Sequence, residues 1–133
     1  MYKNILVPIA GDHAETTGAA LEAARFLAAG RGKITALTVV EAVPLYVDAE
    51  IPEDILRKSK EAALADLMGF VGEGIDSVVV SGHAARTIND YAQDHGIDCI
   101  VVASHRPGLA DYFLGSTAAH VVRHAHCPVH VVR

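Results

Sequence analysis

The stretch Asp98-Cys99-Ile100-Val101-Val102-Ala103, residues 98–103, decides the fold. From Cys99 onward its apolar residues follow one another with no polar residue between them. A strand built from them carries hydrophobic side chains on both faces and needs cover on both, as in a parallel sheet held between layers of helices. Four further runs, Asn4 to Ile9, Lys33 to Val40, Asp76 to Ser81 and Pro128 to Val132, are rich in Val and Ile in the same way. Segments of helical period lie between them, and strict alternation of strand and helix predicts the α/β class: one doubly wound, Rossmann-like parallel sheet of five strands with helices on both faces.

The helices have their own punctuation. The first is expected to begin near Asp12, an N-cap residue with Glu15 three positions on in a capping-box pattern, to present Ala20, Leu21, Ala24, Leu27 and Ala28 as its apolar stripe, and to stop at Gly30. The second, Pro52 to Val71, carries Leu56, Ala63, Leu64, Leu67, Met68 and Val71 at helical spacing, with Arg57, Lys58, Lys60 and Glu61 on the wet side. The third runs from Ala84 to His95 on Ile88, Tyr91 and Ala92, with Gly96 just past its end. The fourth spans Ser116 to Ala125. The connection from Glu41 to Ile51 is too long for a tight turn, and length alone leaves a binding loop and an ordinary surface loop equally open.

At 133 residues the chain fits a single domain, 1–133, that buries its own core. Its uninterrupted apolar runs are strand-sized, far below the roughly 20 residues that cross a bilayer, so no membrane insertion is expected. Lys3 and Asn4 lead straight into Ile5-Leu6-Val7 without a signal-peptide pattern, and a cytoplasmic location is expected. The two cysteines, Cys99 and Cys127, form neither a CxxC pair nor a disulfide framework and read as small buried hydrophobes. A formal net charge of -5 argues against a nucleic-acid footprint, which depends on phosphate neutralisation.

Open parallel sheets take ligands outside the carboxyl ends of their strands, where neighbouring connections leave for opposite faces. The loop after the fourth strand is the most telling: Ala103-Ser104-His105-Arg106-Pro107-Gly108 puts small, polar and cationic residues ahead of Gly115-Ser116-Thr117, which opens the last helix. A helix start offers unpaired N–H groups and the positive end of a dipole, so Gly115, Ser116 and Thr117 can cradle phosphates, with Ser104 and Arg106 completing an anion site. Gly-Ser at a helix start is as often a plain N-cap, and Arg106 reads equally as a solvated cation. Spacing alone leaves these alternatives open.

Among eight histidines, His120 and His124 stand i, i+4 on the last helix and can share an ion, but no HExxH glutamate accompanies them and no metal site is expected. The candidates for hydrolytic chemistry, Ser104, Ser116, His105, Asp12 and Asp111, form no G-x-S-x-G elbow and no convergent carboxylate pair. No catalytic residue is assigned: a committed enzyme is not expected, and a weak ATPase ranks last. The final strand, Pro128 to Val132, is an apolar edge and hence a pairing template, unless His130 and Arg133 blunt it.

Both ends of the chain resemble the universal stress protein family: Met1-Tyr2-Lys3-Asn4-Ile5-Leu6-Val7-Pro8 at the start and LGSTAAHVVRHAHCPVHVVR, residues 114–133, at the close, with Ser81-Gly82-His83-Ala84-Ala85 between them like that family's Gly-x-Pro/Ala-Ala turn. The resemblance implies strand order 3-2-1-4-5 and ATP, with or without Mg2+, lying across the ends of strands one and four. It places Pro8, Ile9, Ala10 and Val39 on the adenine side, and Ala103, Ser104, His105, Arg106, Gly108, Gly115, Ser116 and Thr117 around the phosphates. The family's Gly-x2-Gly-x9-Gly-Ser/Thr motif is matched only at Gly115 and Ser116. Ala103 stands at its first glycine and the loop is one residue shorter, a form similar to a branch that contains ATP-binding members. Ala10 stands where the family carries an acidic residue, two positions ahead of Asp12. The resemblance further implies a homodimer through Val129, His130, Val131 and Val132, and a stress-response sensor whose nucleotide-dependent surface is read by a protein partner. A nucleotide-free dimeric interaction module of the same fold is the alternative.

Overall fold

The computed structural model describes residues 1–10, 15–41, 52–104 and 115–133, with the backbone alone for Glu15 and Thr16. The expected Asp12 cap, most of the connection from Glu41 to Ile51, and His105, Arg106, Gly108 and Asp111 lie outside them. Strands and helices alternate as β1 (Asn4–Pro8), α1 (Glu15–Ala28), β2 (Lys33–Val40), α2 (Glu53–Val71), β3 (Asp76–Ser81), α3 (Ala84–Asp94), β4 (Cys99–Ala103), α4 (Ser116–His124) and β5 (Val129–Val132). The five strands form one sheet in the order β3-β2-β1-β4-β5. Every pairing is parallel.

Alternation along the strands divides the core in two. Ile5 and Val7 of β1, with Cys99 and Val101 of β4, face Ala20, Leu21 and Ala24 of α1 and Leu67 and Val71 of α2. Leu6, Leu37, Ile100 and Val102 point the other way, onto Ile88 and Ala92 of α3 and Ala118 and Val121 of α4. Apolar residues in sequence thus serve two faces in space, the reason the runs carry so little polar alternation.

Several boundaries differ from expectation by a residue, each with a local cause. Ile9 lies past the end of β1, yet its amide still donates to the Leu37 carbonyl at 2.8 Å. β5 starts at Val129 because Pro128 has no N–H to give, although its carbonyl accepts from Ile100 at 2.9 Å. Pro52 and Ala125 cap α2 and α4 rather than joining them. Gly96, at φ 64°, follows the cap residue His95, and the Ile97 amide reaches back to the Ala92 carbonyl at 3.0 Å, a Schellman closure that needs a left-handed residue.

Met68 is a correction: at 60% exposed it lies outside the core, while Phe70 packs against it. Cys127 is half-buried rather than buried. Burial raises its thiol above the ordinary value, with Asp98 adding to the effect.

Asp98 precedes β4 instead of opening it, and its carboxylate accepts from the amides of Lys3 at 2.8 Å and Asn4 at 3.0 Å. Asn4 Nδ2 in turn donates to the His95 carbonyl at 2.9 Å, so the α3–β4 turn fixes the entry of β1. Asp98→Ala removes the acceptor of both amides and is expected to lower unfolding stability by about 1–2 kcal/mol, read as a lower urea midpoint at unchanged slope.

Candidate functional site

The chain direction changes side between β1 and β4. From β1 it passes to α1 on one face, and from β4 to α4 on the other, so the crevice between these neighbours opens at the carboxyl edge of the sheet. On the β1 side, Ile9 is buried at that edge and Ala10 is exposed. The buried Thr38 donates its hydroxyl to the Ile9 carbonyl at 3.0 Å, pinning the strand exit to β2. Val39 and Val40, half-buried, continue β2 beyond the level of Ile9.

On the β4 side, Ser104 is 2% exposed. Its amide donates to the Val132 carbonyl at 2.9 Å, and its carbonyl accepts from the Gly115 amide at 2.6 Å. These two bonds seat the start of α4 on the end of β4. A Cβ at Gly115 would lie 2.8 Å from the Ser104 oxygen, so the close approach itself requires glycine.

Gly115 also serves as N-cap, with φ -57°, ψ 154° and no side chain to bond the helix amides. The first intrahelical bond runs from Ala119 to the Gly115 carbonyl at 2.8 Å, leaving the amides of Ser116, Thr117 and Ala118 as the donors that a helix start does not use internally. The first turn of α4 carries no acidic residue, and its last turn carries Arg123 and His124. Ser116 and Thr117 are exposed. The positive end of α4 therefore faces the carboxyl edge with three amides and two hydroxyl side chains, the chemistry of an oxyanion cradle.

Pro8, Ile9, Ala10, Val39, Ala103, Ser104, Gly115, Ser116 and Thr117 all sit along this edge. Ser104 is buried among them, and its carbonyl seats the helix start. Across residues 1–133 the chain matches the Universal stress protein family. The chain belongs to that family.

Its relatives include Universal stress protein G of Escherichia coli O157:H7, 31% identical over 142 residues with the whole of both chains covered. Among solved structures, this universal stress protein is similar to the universal stress protein UspA from Lactobacillus plantarum, with TM-score 0.72 and 28% identity over 99% of this chain and 98% of that one. It also shares its fold with a universal stress protein solved in complex with cAMP, at TM-score 0.63 and 24% identity over 99% and 97% of the two chains.

Of the other groups singled out from the sequence, His120 and His124 stand together, their rings 4.4 Å apart. No grouping of three or more His, Cys, Asp or Glu side chains able to hold a metal ion occurs among the described residues. No helix among them is long and apolar enough to cross a membrane. Cys99 lies in the core beneath α1, and burial, followed by Cys127 and Asp98, pushes its thiol up to about 11. Cys127 packs with the opposite cluster, so the sheet separates the two thiols. One feature escaped sequence reasoning: Arg86, Asn89, Asp90 and Gln93, a polar i, i+3, i+4, i+7 stripe of α3, share a cleft with His120 and His124 of α4. Their spacing was the available signal.

Proposed function

We propose that this universal stress protein binds ATP across the carboxyl ends of β1 and β4 and acts as a stress-response regulator in the cytoplasm, its nucleotide-dependent surface being read by a protein partner. The observation that carries this reading is the start of α4, held against Ser104 with its amides uncapped by any side chain. The adenine would lie against Pro8, Ile9, Ala10 and Val39, and the phosphates at Gly115, Ser116 and Thr117, with Ala103, Ser104, His105, Arg106 and Gly108 as the further phosphate-side residues. The cAMP complex of a protein with this fold is the precedent for an adenine nucleotide on such a scaffold. Magnesium would enter with the phosphates. Among the described residues at the edge none is placed as a base against a nucleophile, and binding is the activity proposed.

Isothermal titration of ATP into nucleotide-stripped protein, with AMP and GTP as controls at fixed salt and magnesium, tests this. Micromolar affinity selective for ATP is expected. Absence of heat would favour the second reading, a nucleotide-free dimeric module, which the exposed Ala10 at the acidic position of the family supports.

Both readings include a homodimer through β5. The carbonyls of Pro128 and Val132 accept from β4, and since strand residues alternate in direction, the backbone groups of Val129 and Val131 point away from β4 along the outer edge. Pairing of two such edges would use those groups. Val131→Pro deletes one outward N–H while sparing the β4 ladder, as proline on an edge strand does. Sedimentation is expected to shift from dimer toward monomer at micromolar protein. A dimer of undiminished stability would refute the β5 interface.

A further inference from the structure

On the face of the sheet covered by α3 and α4, a cleft of about 270 Å³ opens between the two helices, apart from the carboxyl edge. Arg86, Asn89 and Asp90 line it from α3, His120 and His124 from α4, and His126 from the turn beyond. Two of these residues hold polar atoms out of solvent with no hydrogen-bond partner: Nδ2 and Oδ1 of Asn89, and Nδ1 of His120. Buried polar atoms are ordinarily bonded, so three unmet ones on two lining residues mark the place of an occupant. Both residues line the cleft, and each side chain turns about a terminal torsion that is broad and roughly two-fold.

The charges specify the occupant. The His120 ring lies 4.4 Å from that of His124 and 6.4 Å, edge-on, from that of His83 before α3. Burial lowers the pKa of His120, and His124, His83, Arg86 and Arg123 lower it further by charge. Asp90 is the one carboxylate among the described lining residues. A chain of net charge -5 thus sets two arginines and two further imidazoles around one imidazole, an arrangement that favours an anion over a cation.

Asn89 narrows the choice, because its carboxamide has both a donor and an acceptor to satisfy. A carboxylate offers acceptors alone, whereas a singly protonated phosphate offers acceptors for Asn89 Nδ2, Arg86 and protonated His120, and one O–H for Asn89 Oδ1.

We propose that the α3–α4 cleft is a binding site for a small phosphate group, inorganic phosphate or a compact phosphate monoester, held by Arg86 and Asn89 and strengthened by proton uptake at His120. Binding and protonation of His120 are linked, so for a given phosphate species the site tightens as pH falls through the histidine range. The site is independent of the ATP reading, since the two share no residue.

The test follows the His120 ring by long-range 1H–15N NMR between pH 5 and 8, in inorganic phosphate and in chloride at matched ionic strength. Phosphate is expected to raise the His120 pKa by about half a unit to one unit, equivalent to roughly three- to tenfold tighter binding by the protonated form. In Arg86→Gln, an exposed substitution that leaves the core intact, the phosphate-dependent rise is expected to vanish. The same His120 titration in both salts, or an equal rise in Arg86→Gln, would overturn the assignment.

Discussion

Ser116→Pro is expected to leave this universal stress protein folded and to weaken ATP by about 10- to 100-fold, the worth of one hydrogen bond to a charged group. Ser116 is the first helical position of α4, where proline is favoured because that amide has no intrahelical acceptor. The residue before a proline must be extended, and Gly115 already is, at φ -57° and ψ 154°. The substitution therefore removes the Ser116 amide donor, and the Ser116 hydroxyl with it, without disturbing the helix. Gly115→Val is a harsher probe, because its Cβ would press on the Ser104 carbonyl at 2.8 Å and shift the helix start. Titration calorimetry of both variants, with thermal unfolding as control, separates the causes. Undiminished ATP affinity in a folded Ser116→Pro protein would remove the α4 amides from the site.

Leu6→Ala is expected to cost about 2–5 kcal/mol, a large share of the roughly 5–15 kcal/mol that keeps a domain folded. Leu6 sits on the central strand β1, fully buried, in contact with the layer that α3 and α4 form over the sheet. β2 and β4 flank it on either side, so the cavity has little room to collapse. Met68→Ala on α2 is expected to change stability by no more than about 0.5 kcal/mol, although both residues read as core in an apolar pattern. Urea unfolding of the two variants measures the contrast directly.

Met68 shows where periodicity stops being informative. Residues 64, 67, 68 and 71 share a helical stripe, but α2 lies over β2 and the edge strand β3, and only Leu67 and Val71 are fully buried. A helix at the margin of a sheet finds a narrower contact strip than one over its middle, and the sequence does not say which it is. The strands were legible because burial on both faces leaves a direct mark on composition. Their order came from resemblance, since apolar runs do not state their neighbours.

At the site, Gly115 and Ser116 were visible as a helix start. The burial of Ser104 was not, because a serine before a loop reads the same whether it is exposed or covered. The α3–α4 cleft was hidden for a similar reason: Asn89 and His120 are 31 positions apart, and only packing reveals that both leave polar atoms unmet.

The bond between the Gly115 amide and the Ser104 carbonyl also decouples the length of residues 105–114 from the position of α4. With Ser104 and Gly115 clasped, the two ends of the intervening chain meet as the ends of a closed ring do. The entropy of closing such a ring grows only logarithmically with its length, about 0.6 kcal/mol per doubling. Residues can then be gained or lost between Ser104 and Gly115 while the helix start stays where it is.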